Sequence, residues 1–239
     1  MRSALSSRDT VLHIDDWGDM GTVTFTTADN FSLTGYTAGP ADATKGIVVV
    51  QEIFGVNKHI RDMADSYAAA GYKVIAPSMF DRAQKGVDLG YGPDDRKAGM
   101  EMRGKITEEQ NLHDIIAAAK TLGTKSTGIV GYCFGGTMAW LGATLTHEFQ
   151  AASCWYGGGI AKAKDAKPNC PVQMHFGETD GSIPEADVEA IKAAQPSAEI
   201  YVYKGVGHGF GCADRDSFDE EACEIAQKRT LEFFAKYLK

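Results

Sequence analysis

The sequence lacks the features that would direct it to a membrane or to nucleic acid. No stretch approaches the roughly 18 consecutive apolar residues of a membrane-spanning helix, and residues 1–7 are not followed by the apolar core of a secretory signal. The net charge of −8 argues against a nucleic-acid partner, because binding to phosphates needs clustered lysines and arginines. We therefore expect a cytoplasmic monomer or small homo-oligomer that acts on a small molecule.

Cysteine is scarce, and its spacing gives no sign of a disulfide framework. The five cysteines are odd in number and irregularly spaced, without a Cys-x-x-Cys pair, which is typical of reduced thiols. No His-x-x-x-His pair and no His/Cys cluster appears along the sequence. The sequence therefore predicts no metal.

The order of the predicted elements indicates an α/β fold in one domain, 21–239, after an aperiodic arm at 1–20. Segments 22–26 and 31–36 alternate with period two around turn residues, which predicts an antiparallel hairpin. Strands then alternate with amphipathic helices, and such repeats predict a mostly parallel sheet with helices on both faces. The strands are predicted at 46–51, 73–77, 129–130, 151–156, 171–177 and 198–203, and the helices at 58–70, 107–122, 137–146, 184–194 and 219–237. The segment between Ser78 and Lys105 is rich in Gly, Asp and Arg, and we expect it to form an irregular functional loop over the site.

The motif Gly131-x-Cys133-x-Gly135 lies between a short apolar run and a segment of helical character. This is the strand–turn–helix context of a nucleophile elbow, although most elbows carry serine. The glycines suit such an elbow because its turn is strained and the neighbouring strand and helix press close. A thiol at a helix N-terminus is a plausible nucleophile, since the helix dipole favours thiolate. The alternative is a small buried cysteine with no chemistry.

A cysteine nucleophile needs a base, and three histidines follow Cys133 in the chain. His147 lies near the end of the elbow helix, and His175 lies inside a predicted strand, where a structural hydrogen-bonded role fits better. His208 lies in a glycine-rich loop directly after a strand, where ligands gather in open α/β sheets. We therefore predict that His208 is the base, against the alternative of a solvated loop histidine.

The base needs an orienting acid, and the order nucleophile, acid, histidine is the order of α/β-hydrolases. Asp180 follows the strand that ends at Phe176 and is our predicted acid. Glu178 and Asp187 are the competing candidates.

A loop after the first buried strand completes the predicted site. In α/β-hydrolases this loop supplies one oxyanion-hole amide, and the residue after the nucleophile supplies the other, which nominates the N–H groups of Ile53 and Phe134. Glu52 directly follows this strand, and glutamate is rarely buried without a partner. Either Glu52 points to solvent, or it lies near Cys133 and controls the protonation of the thiol.

The combination of Gln51-Glu52-Ile53-Phe54-Gly55, the cysteine elbow, Asp180 and His208-Gly209-Phe210 resembles the dienelactone hydrolase family, from about Gly21 to the C-terminus. The resemblance implies an α/β-hydrolase fold without a large lid domain and a hydrolase (a carboxylesterase in the broad sense) that cleaves an ester or lactone without cofactor or metal. It also implies a catalytic triad of Cys133, His208 and Asp180 with a thioester acyl-enzyme. Glu52 matches the family glutamate that helps to generate the thiolate.

The resemblance is incomplete where the family binds a substrate carboxylate. Arg82 matches one of the two family arginines, but Cys212 stands where the second is expected, and the nearest arginine is Arg215. Because a bidentate arginine–carboxylate contact is strong, its loss makes neutral esters more plausible. The aromatic residues expected to line an apolar substrate pocket are Phe80, Tyr91, Trp155, Tyr156 and Phe210.

Three other functions stay open at this stage. The same cysteine could serve a promiscuous aryl esterase or phosphotriester hydrolase. The chain could also be a non-catalytic binding protein on a hydrolase fold, which an intact triad argues against. A redox role for Cys133 ranks last, because no resolving cysteine lies at a suitable spacing.

Overall fold

An eight-stranded sheet forms the centre of the protein. The computed structural model describes residues 21–239, so the predicted arm at 1–20 lies outside the described residues. The strands are β1 (Gly21–Thr26), β2 (Ser32–Ala38), β3 (Lys45–Val50), β4 (Lys73–Pro77), β5 (Ser126–Tyr132), β6 (Ala151–Trp155), β7 (Val172–Gly177) and β8 (Glu199–Tyr203). The helices are α1 (Lys58–Ala69), α2 (Pro93–Gly104), α3 (Glu108–Leu122), α4 (Phe134–Leu145), α5 (Glu185–Ala194) and α6 (Glu220–Tyr237).

The strand order confirms the predicted α/β class. The sheet runs β1-β2-β4-β3-β5-β6-β7-β8. β1 and β2 form the predicted antiparallel hairpin, and β2 also pairs antiparallel with β4. From β4 to β8 every neighbouring pair is parallel. The carboxyl ends of β3, β5, β7 and β8 therefore meet at one edge, where ligands bind in open parallel sheets.

Helices cover both faces of the sheet, as two glycines in its central strands demonstrate. A Cβ at Gly46 would lie 3.0 Å from Leu122 of α3, and a Cβ at Gly128 would lie 2.7 Å from Phe234 of α6. Gly128 pairs with Ile47, the residue after Gly46. Because side chains alternate along a strand, the two glycines face opposite sides. The central strands are buried on both faces, which explains their continuous apolar sequences.

The segment predicted to be irregular between Ser78 and Lys105 instead contains a 3₁₀ turn at Met79–Arg82 and the helix α2. Pro93 occupies the first turn of α2, and the backbone N–H of Gly92 donates to the Asp95 carboxylate at 3.2 Å. Proline and acidic residues in the first turn both favour a helix start. α2 packs against the loop after β3, because a Cβ at Gly99 would lie 1.9 Å from the carbonyl oxygen of Ile53.

Within residues 21–239, no helix combines the length and the apolar character needed to cross a membrane.

Candidate active site

The turn between β5 and α4 presents Cys133 at the carboxyl edge of the sheet. Cys133 has a φ of 55°, a conformation that non-glycine residues seldom adopt and that is often found at functional sites. The turn is tight, because a Cβ at Gly131 would lie 1.9 Å from the carbonyl oxygen of Gly135, and a Cβ at Gly135 would lie 2.2 Å from that of Val50. The two glycines of the motif therefore permit the close approach that the turn requires.

His208 and Asp180 lie in loops that follow the neighbouring strands β8 and β7. Nδ1 of His208 donates to Oδ2 of Asp180 at 2.7 Å. The other carboxylate oxygen of Asp180 accepts from the backbone N–H of Ser182 at 2.8 Å, and the Asp180 side chain is fully buried. The His208 loop is itself held, because the Ser217 hydroxyl donates to the His208 carbonyl at 2.6 Å. Asp180 thus fixes the orientation of the His208 ring through Nδ1.

The electrostatics around His208 favour its protonated form. Burial by itself lowers the pKa of His208, but the hydrogen bond with Asp180 and the interaction with the Cys133 side chain outweigh burial and raise the pKa to about 10. Opposite charges at short range stabilise each other in a partly buried site. The environment of His208 therefore favours an imidazolium beside the Cys133 side chain.

The competing histidines and acids lie elsewhere. His175 is fully buried and bonded to Tyr203 at 2.8 Å, and His147 is exposed beyond the end of α4. Glu178 is exposed and accepts from the backbone N–H of Gly205 at 2.8 Å. Asp187 lies in the first turn of α5.

A cavity of about 420 Å³ opens in front of Cys133 and His208. Ile53 and Phe134, the predicted oxyanion-hole residues, both line it. Phe134 is the first residue of α4, where helical geometry leaves N–H groups without an intrahelical acceptor. The lining residues are Ile53, Phe54, Arg96, Met100, Arg103, Cys133, Phe134, Thr137, Gly158, Gly159, Lys162, Ser182, His208 and Arg215.

The cavity is positively charged although the chain as a whole is negative. Arg96, Arg103, Lys162 and Arg215 line it, and no carboxylate belongs to its lining within residues 21–239. Arg96 and Arg103, with Met100 between them, lie at spacings of four and three residues, so they share one face of α2. A cleft lined by one sign of charge raises the local concentration of opposite charges.

Glu52 is buried and paired with Arg215, so it does not point to solvent. Its side chain is 1% exposed, and Oε1 accepts from Nη1 of Arg215 at 2.9 Å. The other oxygen, Oε2, has no hydrogen-bond partner among the described residues. Arg215 lies across the backbone of Gly209, because a Cβ there would come within 2.4 Å of Nη1. Arg215 thus lines the cavity, whereas Cys212, at the position of the expected arginine, is fully buried outside the lining.

Arg82 does not line the cavity, contrary to its predicted contact with substrate. Its guanidinium donates to Oδ1 of Asp114 at 2.8 Å and also contacts Asp29, and its side chain is only 5% exposed. The guanidinium also lies 4.6 Å from the centre of the Phe31 ring. The guanidinium contacts residues of the β1–β2 hairpin and of α3. The structure therefore indicates a structural role for Arg82.

The predicted aromatic pocket residues also lie outside the cavity lining. Trp155 and Phe210 are fully buried and stacked, with ring centres 5.6 Å apart. Tyr156 packs edge-on against His208 at 5.1 Å, and Tyr91 contacts Phe54 at 4.6 Å. Phe80 is buried beside Phe134. These rings support the loops of the site, because close packing holds such loops in one conformation.

The sequence analysis did not identify several residues near the site, which lie on α2, on α1 and in a second 3₁₀ turn. Arg96, Met100 and Arg103 lie in the segment that was predicted to be an irregular loop. The Pro-Asp-Asp sequence at the start of α2 is nevertheless a recognisable signal for the start of a helix. Lys162 lies in a 3₁₀ turn at Ile160–Ala163, for which the sequence carries no clear signal. His59, buried near Glu52, was also missed.

The fold and the site together define the class of α/β-hydrolases. A strand–turn–helix elbow with Cys133 at its turn, then Asp180 and then His208 follow in that order at the carboxyl edge of a mostly parallel sheet. The family model of the dienelactone hydrolases matches residues 33–238. The chain belongs to the dienelactone hydrolase family.

Relatives that are similar over most of the chain support a hydrolase. A Synechocystis sp. protein named "Putative carboxymethylenebutenolidase" is 34% identical, covering 88% of this chain and 94% of its own. A Salmonella typhimurium protein of the same name is 31% identical, covering 95% and 92%. Among solved structures, a "Putative Dienelactone Hydrolase" from Klebsiella pneumoniae has a TM-score of 0.76 at 30% identity, covering 92% of this chain and all of its own.

A more distant structure shares the fold alone. A dienelactone hydrolase-like promiscuous phosphotriesterase from metagenomic libraries has a TM-score of 0.73 at 17% identity, covering 93% of this chain and all of its own.

Proposed function

We propose that the protein hydrolyses small carboxylate-bearing esters or lactones through a Cys133–His208–Asp180 triad. The Cys133 thiolate attacks the carbonyl carbon and forms a tetrahedral oxyanion. His208 then gives its proton to the leaving alkoxide, which leaves a thioester on Cys133. A water molecule that transfers a proton to His208 attacks this thioester, and collapse of the intermediate releases the acid and restores the Cys133 thiolate beside the protonated His208.

The observation that carries the proposal is the convergence of the three residues from distant parts of the chain. Cys133 and His208 line the same cavity, and Asp180 holds the far side of the His208 ring at 2.7 Å. The raised pKa of His208 supports a resting imidazolium beside the sulfur. A thiolate is the form of cysteine that acts as a nucleophile.

The oxyanion is proposed to be bound by the backbone N–H groups of Ile53 and Phe134. Both residues line the cavity beside Cys133, and the second stands at the N-terminus of α4. The positive end of the helix dipole favours negative charge at that point. One oxyanion-hole donor is typically worth ~10²–10³ in rate.

The charge of the cavity favours substrates that carry a carboxylate. Cys212 stands where the family has an arginine, which led us to expect neutral esters as substrates. Arg215, three residues further along the sequence, nevertheless lines the cavity. Arg96 and Arg103 add two guanidinium groups on α2. Guanidinium groups bind carboxylates by charge-assisted hydrogen bonds. The cavity therefore retains cationic groups for an acidic substrate.

We also propose that Glu52 assists the ionisation of Cys133. Its second oxygen is buried without a partner among the described residues, next to the cavity that Arg215 lines. A carboxylate oxygen without a hydrogen-bond partner is open to a donor, which is the role proposed for Oε2 of Glu52.

The replacement Cys133→Ala tests the proposed nucleophile. We expect kcat/KM for an activated ester to fall by about 10⁴-fold or more, because loss of a nucleophile disables the whole triad. Cys170→Ala is the matched control, since this half-buried thiol lies outside the cavity lining, and it should keep its activity. Mass spectrometry of the wild type mixed with an activated ester should detect one acyl group, on Cys133. Retention of most activity by the Cys133→Ala protein would refute the proposal.

A substrate panel separates the alternative activities. The panel compares a carboxylate-bearing enol lactone, a neutral aryl ester and a phosphotriester with the same enzyme preparation. Preference for the lactone supports the proposal, whereas an equal or higher kcat/KM for the neutral ester or the phosphotriester supports a promiscuous hydrolase. The absence of both turnover and acyl-enzyme would favour a non-catalytic binding protein.

A further inference from the structure

A second cluster of reactive side chains lies outside the lining of the cavity. Glu52 follows β3, His59 lies in the first turn of α1, and Cys212 lies in the loop before α6. One ligand atom from each of these residues lies within 4.8 Å of the corresponding atoms of the other two. All three residues are buried, with exposures of 1%, 5% and 0% respectively.

Two of these side chains lack the partners that buried polar groups normally have. Oε2 of Glu52 and Nε2 of His59 have no hydrogen-bond partner among the described residues. Most buried polar atoms in proteins are hydrogen-bonded, so each exception calls for a missing partner. Two unpartnered atoms on neighbouring side chains indicate that one ligand could bind both. A carboxylate oxygen, an imidazole nitrogen and a cysteine sulfur are together a set of atoms that coordinates metal ions in proteins.

We propose that Glu52, His59 and Cys212 form a binding site for a zinc-class divalent cation. Mixed carboxylate, imidazole and thiolate donors suit Zn²⁺, which takes three protein ligands and a water at its open sites. On binding, the Cys212 thiol releases its proton to solvent and the thiolate coordinates the cation. Glu52 and the Cys212 thiolate then supply two negative charges to the ion. Because Oε2 of Glu52 is coordinated in this state, it no longer accepts a proton from Cys133, so the bound cation and the proposed role of Glu52 in catalysis exclude each other.

The surroundings of the cluster can accommodate this coordination. Tetrahedral zinc at ordinary bond lengths places its donor atoms about 3.6 Å apart, so the 4.8 Å limit requires only small side-chain movements. Arg215 already binds Oε1 of Glu52 at 2.9 Å and leaves Oε2 available. Hydrogen-bonded carboxylates are usual among metal ligands, because an outer partner orients the coordinating oxygen. Burial raises the pKa of Cys212 to about 11, so the metal must displace a proton.

The sequence alone could not show this site. The three residues are separated by 7 and 153 positions, far from the short spacings of zinc motifs. Only the meeting of β3, α1 and the loop before α6 brings them together.

Titration of the full chain with Co²⁺, a spectroscopic substitute for Zn²⁺, tests the proposal. The experiment uses the Cys133→Ala protein, because Cys133 and His208 can themselves bind a metal and would confuse the result. We expect one equivalent of Co²⁺ to produce a thiolate-to-cobalt charge-transfer absorption in the near ultraviolet, and Zn²⁺ to displace it. Zn²⁺ should also raise the Tm, since a ligand of the folded state alone stabilises it.

Ligand variants in the same background assign the site. Cys212→Ser should abolish the charge-transfer band, and both Cys212→Ser and His59→Gln should weaken the affinity by about 100-fold or more, since loss of outer partners alone costs 10–100-fold. Cys170→Ser and His147→Gln are the matched controls and should bind as before. Circular dichroism verifies that each variant is folded, and Cys212→Ala replaces the serine variant if it is not. The proposal is overturned by the absence of a band, or by a band that survives in both Cys212 variants.

Discussion

Two arginines each hold a buried carboxylate, but only one of the two pairs borders the cavity. Arg82 contacts both oxygens of Asp114, at 2.9 Å and 3.0 Å from Nε, so neither oxygen lacks a partner. Arg215 contacts one oxygen of Glu52 and leaves the other without a partner among the described residues. The Arg82 side chain is 5% exposed and the Arg215 side chain 21%, and only Arg215 lines the cavity.

The difference shows how to separate structural from functional charges. A buried ion pair whose atoms are all satisfied resists change, because any movement would leave a charge without a partner. In an ion pair that leaves one carboxylate oxygen without a partner, that oxygen can accept a proton or bind a metal ion while the other oxygen keeps its contact with the arginine. Arg82 therefore matches the family arginine in sequence position without lining the cavity, and we propose that the cavity arginines bind the substrate carboxylate instead.

Replacement of Arg82 should have the largest effect on stability. Arg82→Met leaves the fully buried Asp114 without its cation, and we expect the free energy of unfolding to fall by about 3–5 kcal/mol. Because Arg82 does not line the cavity, kcat/KM per folded molecule should stay within about twofold of the wild type. Urea unfolding and steady-state kinetics measure the two quantities.

Two controls accompany the Arg82 prediction. The double replacement Arg82→Met with Asp114→Leu should recover much of the stability, since it removes both buried charges and leaves only the partly exposed Asp29 without its cation. Lys58→Met removes an exposed pair with Asp62 and should change stability by less than about 1 kcal/mol. A large fall in kcat/KM with unchanged stability would instead place Arg82 in contact with substrate.

Matched amide replacements of the two carboxylates should separate activity from stability. Glu52→Gln keeps the shape and one acceptor oxygen for Arg215 but removes the proton acceptor, so we expect kcat/KM to fall by about 10²-fold. Asp114→Asn weakens the contacts with Arg82 and should cost about 2 kcal/mol of stability, with kcat/KM per folded molecule retained. The proposed role of Glu52 fails if its amide variant keeps full activity.

A third buried polar cluster, around His175, extends the comparison to pH. Nδ1 of His175 is bonded to Tyr203 and Nε2 to Gln173, both at 2.8 Å. Burial lowers the pKa of His175 from 6.5 to about 3. Between these pH values the unfolded chain binds more protons than the folded one, so this contribution to stability is complete above pH 6.5 and is lost as pH falls towards 3.

The His175 contribution can be measured by urea unfolding at pH 7 and pH 5. Between pH 7 and pH 5 the free energy of unfolding of the wild type should fall by about 2 kcal/mol more than that of the His175→Gln protein. His147→Gln replaces an exposed histidine, so the free energy of unfolding of this variant should fall by as much as that of the wild type. Equal losses in the wild type and the His175→Gln protein would contradict the assignment of a buried neutral ring.

The fold could be predicted from sequence because its signals are local. The apolar runs of β3 and β5 and the capping box at Thr107 and Gln110 each report on a few neighbouring residues. α2 was missed because its exposed charged residues weaken the apolar periodicity, so only its proline and acidic start indicated a helix.

The candidate site was predictable only where a motif marks a residue. Cys133 lies in a glycine motif and His208 in a glycine-rich loop at a strand end, and the structure brings both to one cavity. The direction of a long side chain depends on packing that sequence does not encode locally. For that reason the partners of Arg82 and Arg215, and the meeting of Glu52 with His59, became visible only in the structure.

The smallest predicted effect concerns substrate charge at α2. Arg103 lines the cavity and lies 5.4 Å from the centre of the Phe134 ring, whereas Lys97 on the same helix is exposed and outside the lining. Arg103→Gln should raise KM for a carboxylate-bearing lactone by about tenfold, through loss of a charge-assisted hydrogen bond. KM for a neutral aryl ester should change by less than about twofold, because that substrate offers no carboxylate.

Lys97→Gln removes the same charge from the same helix and therefore isolates position from net charge. If Arg103 acts by contact with the substrate, only Arg103→Gln changes the ratio of the two KM values. If the field of the whole cavity dominates, both variants change the lactone KM by similar amounts, and the effect disappears at high salt because exposed charges are screened. Equal KM changes for the lactone and the neutral ester in Arg103→Gln would show that α2 shapes the cavity without selecting charge.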